Sequence, residues 1–201
     1  MNKKKRVIGV DEAGRGPLAG PVAVGVVVVS EGFDWKLIEG VGDSKQVSPK
    51  NRAAIFGRAK QLKKEGKLNF VVLMGSAKEI DKKGIAAVIC NSIEKGLKKL
   101  KLKPGDCFVK LDGALRAPAE FSQETIIKGD AKEKIIGLAS ICAKETRDAY
   151  MREIAKQFPA YDFSTHKGYG TKRHRKLIYK KGLSSEHRVT YCQNRHLWGK
   201  L

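Results

Sequence analysis

Four acidic residues are placed to do chemistry: Asp11 and Glu12, adjacent in Val7-Ile8-Gly9-Val10-Asp11-Glu12, then Asp112 in Leu111-Asp112-Gly113 and Asp130 in Lys128-Gly129-Asp130. Each stands where an apolar stretch gives way to glycine within a few residues. Hard divalent cations such as magnesium take carboxylate oxygens and keep water and phosphate as their other ligands. Two such ions about 4 Å apart stabilise both the attacking and the leaving oxygen of a phosphodiester displacement. A single Asp-Gly is usually a turn residue, and Asp130 also reads as a helix cap. Four acids together, in a chain otherwise dominated by basic residues, point to a shared metal site. The loop Gly14-Arg15-Gly16-Pro17 follows Glu12 at once, and its glycines let backbone approach a ligand closely.

These acids need strand ends to hold them. Apolar, β-branched runs predict strands over 6–11, 20–30, 68–74, 107–111 and 125–128. Ser48-Pro49 opens a helix that reaches Gly66, and Ser76-Ala77-Lys78-Glu79 has capping-box spacing. Helical periodicity covers 85–100, and one long helix is expected over 131–157. Strand ends in an open α/β sheet converge on one edge, which can gather acids from separate strands. Side chains alternate along a strand, so Asp11 and Glu12 cannot both face one metal if the strand runs through them. Glu12 is therefore expected in the turn, or as a partial ligand through its carbonyl.

Composition narrows the partner. Lys plus Arg number 41 against 21 acids in 201 residues, a formal charge of +20. Such a surplus suits a polyanion, because each phosphate contact releases counterions. No basic helix has the wide apolar face that lies on lipid. No stretch nears the ~18 apolar residues of a membrane span, and the basic start Met1–Arg6 lacks a signal peptide's apolar run. Cys90, Cys107, Cys142 and Cys192 form no CxxC, and the four histidines lack zinc-ligand spacing. Scattered thiols suit a reducing cytoplasm. From Ala160 onward the chain turns rich in Lys, Arg, His and Tyr, so residues 1–159 read as a catalytic domain and 160–201 as a helical, substrate-binding extension.

The run Gly9-Val10-Asp11-Glu12-Ala13-Gly14-Arg15-Gly16-Pro17-Leu18-Ala19-Gly20-Pro21-Val22 resembles the signature of the ribonuclease HII family. The likeness continues, in order, through Asp43-Ser44-Lys45, Leu111-Asp112-Gly113, Lys128-Gly129-Asp130, Ser140-Ile141-Cys142-Ala143-Lys144, Arg147-Asp148 and Lys167-Gly168-Tyr169-Gly170-Thr171. It implies an α/β, ribonuclease H-like fold, a five-stranded mixed sheet flanked by helices with a C-terminal helical extension. It implies a metal-dependent endoribonuclease that cuts RNA in RNA–DNA hybrids and 5′ of single ribonucleotides in duplex DNA. A 3′-hydroxyl and a 5′-phosphate result, with roles in ribonucleotide excision and RNA primer removal. The family's catalytic acids fall on Asp11, Glu12, Asp112 and Asp130, holding two Mg²⁺ or Mn²⁺ ions. Its ribose-sensing loop falls on Gly14, Arg15 and Gly16, and its junction-reading tyrosine on Tyr169. His166 departs from the asparagine often found there, and Glu186-His187-Arg188-Val189-Thr190-Tyr191 matches only loosely.

The remaining motifs have their own physical reading. An enzyme that finds one ribonucleotide in DNA must sense a 2′-hydroxyl, both donor and acceptor. The amides and carbonyls of Gly14–Gly16 can reach it, and Tyr169 can stack on the neighbouring deoxyribose or bond the hydroxyl. Ser140, Lys144 and Arg147 share one helix face, as phosphate contacts or a solvated face. Ser44 and Lys45 form a phosphate-binding or helix-capping turn, and Lys172, Arg173, His174, Arg175 and Lys176 are expected on the nucleic-acid backbone. The expected enzyme is a monomer; recruitment by a sliding clamp stays open. The rival readings are a non-catalytic nucleic-acid-binding protein and a junction resolvase, and the Gly-Arg-Gly loop disfavours the latter.

Overall fold

The computed structural model describes residues 5–42 and 47–200, the side chains of residues 199 and 200 excepted. Strands β1 (Arg6–Ala13), β2 (Val22–Ser30), β3 (Asn69–Gly75), β4 (Cys107–Asp112) and β5 (Ser122–Ile126) form one sheet, ordered β3-β2-β1-β4-β5. β2 runs antiparallel to β1 and β3, whereas β4 runs parallel to β1 and β5. The sheet is mixed, as expected.

The unbroken valine run of β2 follows from burial on both faces. Val22, Val24, Val26 and Val28 pack with residues of α2 (Ala77–Lys83) and α3 (Ile85–Lys99), such as Ile80, Ile93 and Leu97. Val27 and Val29 pack instead with residues of α1 (Pro49–Lys64) and α5 (Lys134–Gln157), such as Ile55, Ala59 and Leu138. Ser48 caps α1, its Oγ accepting from the Asn51 amide at 3.2 Å. The Ser76–Glu79 capping box opens α2, a separate short helix ended by Gly84.

Two differences from the sequence expectation bear on the site's second half, at β5, which spans Ser122–Ile126 rather than 125–128, and at the long helix. β5 stops at Ile126, because Lys128 is left-handed (φ 56°), which no strand continues through. The helix expected over 131–157 is two: α4 (Gly129–Lys132) and α5, separated by Glu133 in extended conformation. The Glu133 carboxylate pairs with Lys110 of β4 at 2.9 Å.

Two strand glycines set how α5 lies on the sheet. A Cβ on Gly9 would stand 2.3 Å from the Ile135 carbonyl oxygen, and one on Gly25 2.3 Å from that of Ala139. Any side chain there would lift the helix, so α5 rides on bare backbone of β1 and β2. Gly25 is also the β2 partner of Asp11, so the helix turn bearing Ser140 sits above that acid.

Beyond α5, the short helix α6 (Phe163–His166) and α7 (Lys172–Lys181) gather around Ala19, Met151, Ile154, Tyr161, Phe163 and Ile178. An isolated bridge between Ala19 and His187 ties the tail to the loop between β1 and β2. Among the described residues, no helix is long and apolar enough to cross a membrane.

Candidate active site

The site lies where two strands part. β1 stays paired with β2 through Ala13, but its pairing with β4 ends at Val10–Leu111. Asp11, Glu12 and Asp112 lie just past that fork. Glu12 is thus in the strand, not in the turn as expected from alternation. Both neighbours nonetheless line one opening, because no β4 backbone is bonded to β1 beyond the fork. A cavity of about 290 Å³ there is lined by Asp11, Glu12, Ala13, Gly14, Arg15, Gly16, Asp112, Asp130, Ser140, Lys144 and Tyr169. All four sequence-predicted acids line it. A larger cavity, about 480 Å³, adjoins Phe33, Trp35 and Glu133, but its one acid is the Glu133 already paired with Lys110. Chemistry, not size, singles out the smaller one.

Asp112 accepts from the Gly129 amide at 2.6 Å, which joins β4 to the first turn of α4 and brings Asp130 alongside. Asp130 lies inside that turn and caps neither helix: the residues at those positions are Lys128 and Glu133. Asp11 is buried and accepts from the Glu12 amide at 2.7 Å. Burial pushes its carboxyl well above the ordinary range; Ser140 counters by hydrogen bonding, while the charges of Glu12 and Asp112 push it further up. Burial raises Glu12 too, offset by Arg15, whose Nη1 lies 3.5 Å from Glu12 Oε1. Glu12 Oε2 is buried with no hydrogen-bond partner. Crowded, under-satisfied carboxylates are what a divalent cation relieves. Among the described residues no three acids, histidines or cysteines stand close enough, as placed, to hold a metal ion between them. An open set of oxygens fits magnesium-type ions, which keep waters and substrate phosphate.

The face expected to present Ser140, Lys144 and Arg147 together is divided. Ser140 and Lys144 line the cavity, with Lys144 Nζ 2.8 Å from Asp148. Arg147 does not reach substrate: it is fully buried, donating to the carbonyls of Pro21 (2.8 Å), Lys167 (3.0 Å) and Ala19 (3.1 Å). Burial lowers its pKa to about 10, so it keeps its charge. A Cβ on Gly14 (φ +93°) would stand 2.1 Å from Arg147 Nε, which requires glycine there twice over.

Arg188 is a residue the sequence reading passed over. It too is fully buried and donates to the carbonyls of Gly14 (2.6 Å), Arg15 (2.9 Å) and Gly20 (3.0 Å). Carbonyl and amide point opposite ways across a trans peptide. With no cis bond among the described residues, the Arg15 and Gly16 amides face away from Arg188. In a chain of 41 basic residues, nothing in the sequence marks which arginines are buried.

Tyr169 lines the cavity, exposed, with the Arg147 guanidinium carbon 5.8 Å from its ring centre. Lys172, Arg173 and Lys176 are exposed on α7, but His174 is fully buried, because it lies on the helix face packed against Phe163. Ser44 and Lys45 lie outside the described residues.

The ribonuclease HII family model matches residues 8–199. A ribonuclease HII of Caldicellulosiruptor bescii is 40% identical over 195 residues, 96% of this chain and 90% of that protein. The ribonuclease H2 of Pyrococcus horikoshii OT3 has a similar structure (TM-score 0.76, 27% identity, 98% of this chain and 100% of that one). So does Bst-RNase HIII in complex with Mn²⁺ (TM-score 0.70, 16% identity, 98% and 71%), a likeness of fold alone. With its mixed sheet and its match along nearly its whole length, the chain belongs to the ribonuclease HII family, endoribonucleases built on the ribonuclease H fold.

Proposed function

We propose that this endoribonuclease cuts RNA in RNA–DNA hybrids and on the 5′ side of a single ribonucleotide in duplex DNA, leaving a 3′-hydroxyl and a 5′-phosphate. The observation that carries the reading is one cavity lined both by four carboxylates and by the Gly14–Gly16 loop with Tyr169. The acids serve the phosphate, and the loop serves the sugar. Asp11, Glu12, Asp112 and Asp130 would hold two Mg²⁺ or Mn²⁺ ions; the fold relative Bst-RNase HIII has been seen in complex with Mn²⁺. Bound there, the ions supply charge stabilisation to the attacking and leaving oxygens.

The protein's own groups do the rest. Asp11, raised by burial and by the charges of Glu12 and Asp112, and Glu12, raised by burial and by the charge of Asp112, are the carboxyls that bound cations would relieve. Ser140 holds Asp11 by hydrogen bonding. The Arg15 and Gly16 amides, turned away from Arg188, are free to donate to a 2′-hydroxyl. Tyr169 stacks on the adjoining deoxyribose. Lys144 adds positive charge near the scissile phosphate, and residues 160–201 form an extension whose exposed Lys172, Arg173 and Lys176 follow the backbone.

The test is a labelled duplex carrying one ribonucleotide, incubated with Mg²⁺ and separately with EDTA. One metal-dependent product cut 5′ of the ribonucleotide is expected. Absence of any metal-dependent product would return the chain to the non-catalytic binding reading.

A further inference from the structure

Behind Tyr169, His187 and His174 are joined by a hydrogen bond and His166 stacks on His174, a cluster that the catalytic reading does not use. His187 Nδ1 receives the Ser184 amide at 2.9 Å, with Ser184 Oγ at 2.8 Å. His187 Nε2 lies 3.1 Å from His174 Nε2, and His174 Nδ1 lies 2.9 Å from the Tyr169 carbonyl. His166 stacks on His174 with ring centres 4.1 Å apart. His166 Nε2 meets the Tyr161 carbonyl at 2.7 Å, while its Nδ1 receives the Gly168 amide at 3.2 Å.

The backbone partners fix every proton. An amide only donates and a carbonyl only accepts. Ser184 N–H therefore makes His187 Nδ1 the acceptor, so the proton is on Nε2. That N–H donates to His174 Nε2, leaving the His174 proton on Nδ1, directed at the Tyr169 carbonyl. His166 likewise carries its proton on Nε2. All three rings are neutral, and each has both nitrogens engaged. A second proton on any of the three would face a donor already in place. Burial agrees, pushing His174 down to about 3 and His187 to about 4. His166 is lowered as well, with Asp162 opposing and Arg173 reinforcing the fall.

We infer that His174, held in one tautomer by His187, is a positioning residue for Tyr169 and sets how sharply the enzyme separates a lone ribonucleotide from a continuous hybrid. The inference rests on the proposed sugar-reading role of Tyr169. Its physical basis is that Tyr169 is exposed on a loop, its ring meeting the Arg147 guanidinium at 5.8 Å, so its placement depends on how its backbone is held. That backbone is held from behind: the carbonyl by His174 at 2.9 Å together with the Thr171 amide at 2.8 Å, the amide by the His166 carbonyl at 2.9 Å, and the Lys167 carbonyl by Arg147 at 3.0 Å. The same tail segment supplies Arg188 to the Gly14–Gly16 loop, so one element braces both sugar-facing parts.

The test uses the ratio of cleavage rates on a single-ribonucleotide duplex and on a long hybrid, in which the common chemistry cancels. His174→Asn places an amide where Nδ1 was and keeps the donor to Tyr169. His174→Gln places it where Nε2 was and loses that donor. The ratio should fall about tenfold in His174→Gln, the worth of one hydrogen bond, and stay within about twofold of wild type in His174→Asn. A wild-type ratio in cooperatively melting His174→Gln, or equal loss in both variants, overturns the inference. Tyr169→Ala is the control. If it leaves the ratio intact, the sugar-reading role itself fails; if it lowers the ratio while His174→Gln does not, only the histidine chain fails. Imidazole ¹⁵N spectra of the unaltered protein at neutral pH test the geometry independently of any variant. The Nδ1–H tautomer is expected at His174 and Nε2–H at His166 and His187. An Nε2–H or doubly protonated His174 would refute the chain.

Discussion

The acidic cavity and the basic scaffold behind it are both buried and polar, yet they are satisfied to opposite degrees. In the scaffold, each nitrogen of Arg147 and Arg188 that meets a carbonyl does so at 3.1 Å or less, and every ring nitrogen of His166, His174 and His187 has a partner. In the cavity, like charges sit together, two carboxyls are pushed up by burial, and Glu12 Oε2 has no partner. Full pairing of these arginines and histidines marks the groups that hold shape, although Arg175 Nε on α7 is also buried without a partner. Incomplete satisfaction marks the region where a ligand is to complete the bonding.

The largest test of this contrast is Asp11→Asn. Cleavage should fall by about 10²–10³-fold or more, while stability to urea should rise by about 1 kcal/mol as buried repulsion is removed. A loss of stability would place Asp11 among the scaffold groups and erase the distinction. Arg188→Met should do the reverse on stability. Three carbonyls lose their donor, costing on the order of 3 kcal/mol, read as a lower urea midpoint at unchanged slope. A change below about 0.5 kcal/mol would mean those carbonyls were satisfied otherwise.

Acid sharpens the contrast through opposite signs. Histidines whose folded pKa lies below the ordinary 6.5 add stability that is complete above 6.5 and is lost as pH falls toward about 4 and 3, the values for His187 and His174. Asp11 and Glu12, raised on folding, instead add stability at low pH that is lost as pH rises through their folded values. The stability gain of Asp11→Asn should therefore be greatest near neutrality and shrink in acid, measured as urea midpoints across pH 4–8. A gain that grows in acid would invert the assignment. The smallest effect is expected at the surface: Lys176→Ala should lower the slope of log affinity against log salt by about 1 and leave melting unchanged. An unaltered slope would remove Lys176 from the backbone contacts.

Much of this was legible in the chain. The acids that share the cavity are named by their setting, apolar run then acid then glycine, because strand ends in such sheets meet at one edge. The valine run of β2 and the Ser76–Glu79 box announce their elements, since burial and capping act through near neighbours. Arg147 was misread for a physical reason. Its position in the helix repeat is shared with Ser140 and Lys144, but the loop at Gly14 packs against its guanidinium and closes that turn off from solvent. Glu12 was misplaced because alternation assumes a neighbour on each side, and β1 loses one at the fork. The break at Glu133 has no local signal, as its carboxylate partner Lys110 comes from another strand.

Local order along the chain thus decided what each segment becomes and which residue types could meet a metal-bound phosphate. Hydrogen-bonding and burial preferences act over a few residues and are written in sequence. Which arginines are spent on carbonyls, which histidines bond to one another, and how far two strands separate were decided only by packing. Those outcomes depend on backbone groups brought together from residues far apart, as Arg188 and Gly14 are, and a carbonyl looks the same at every position in a sequence.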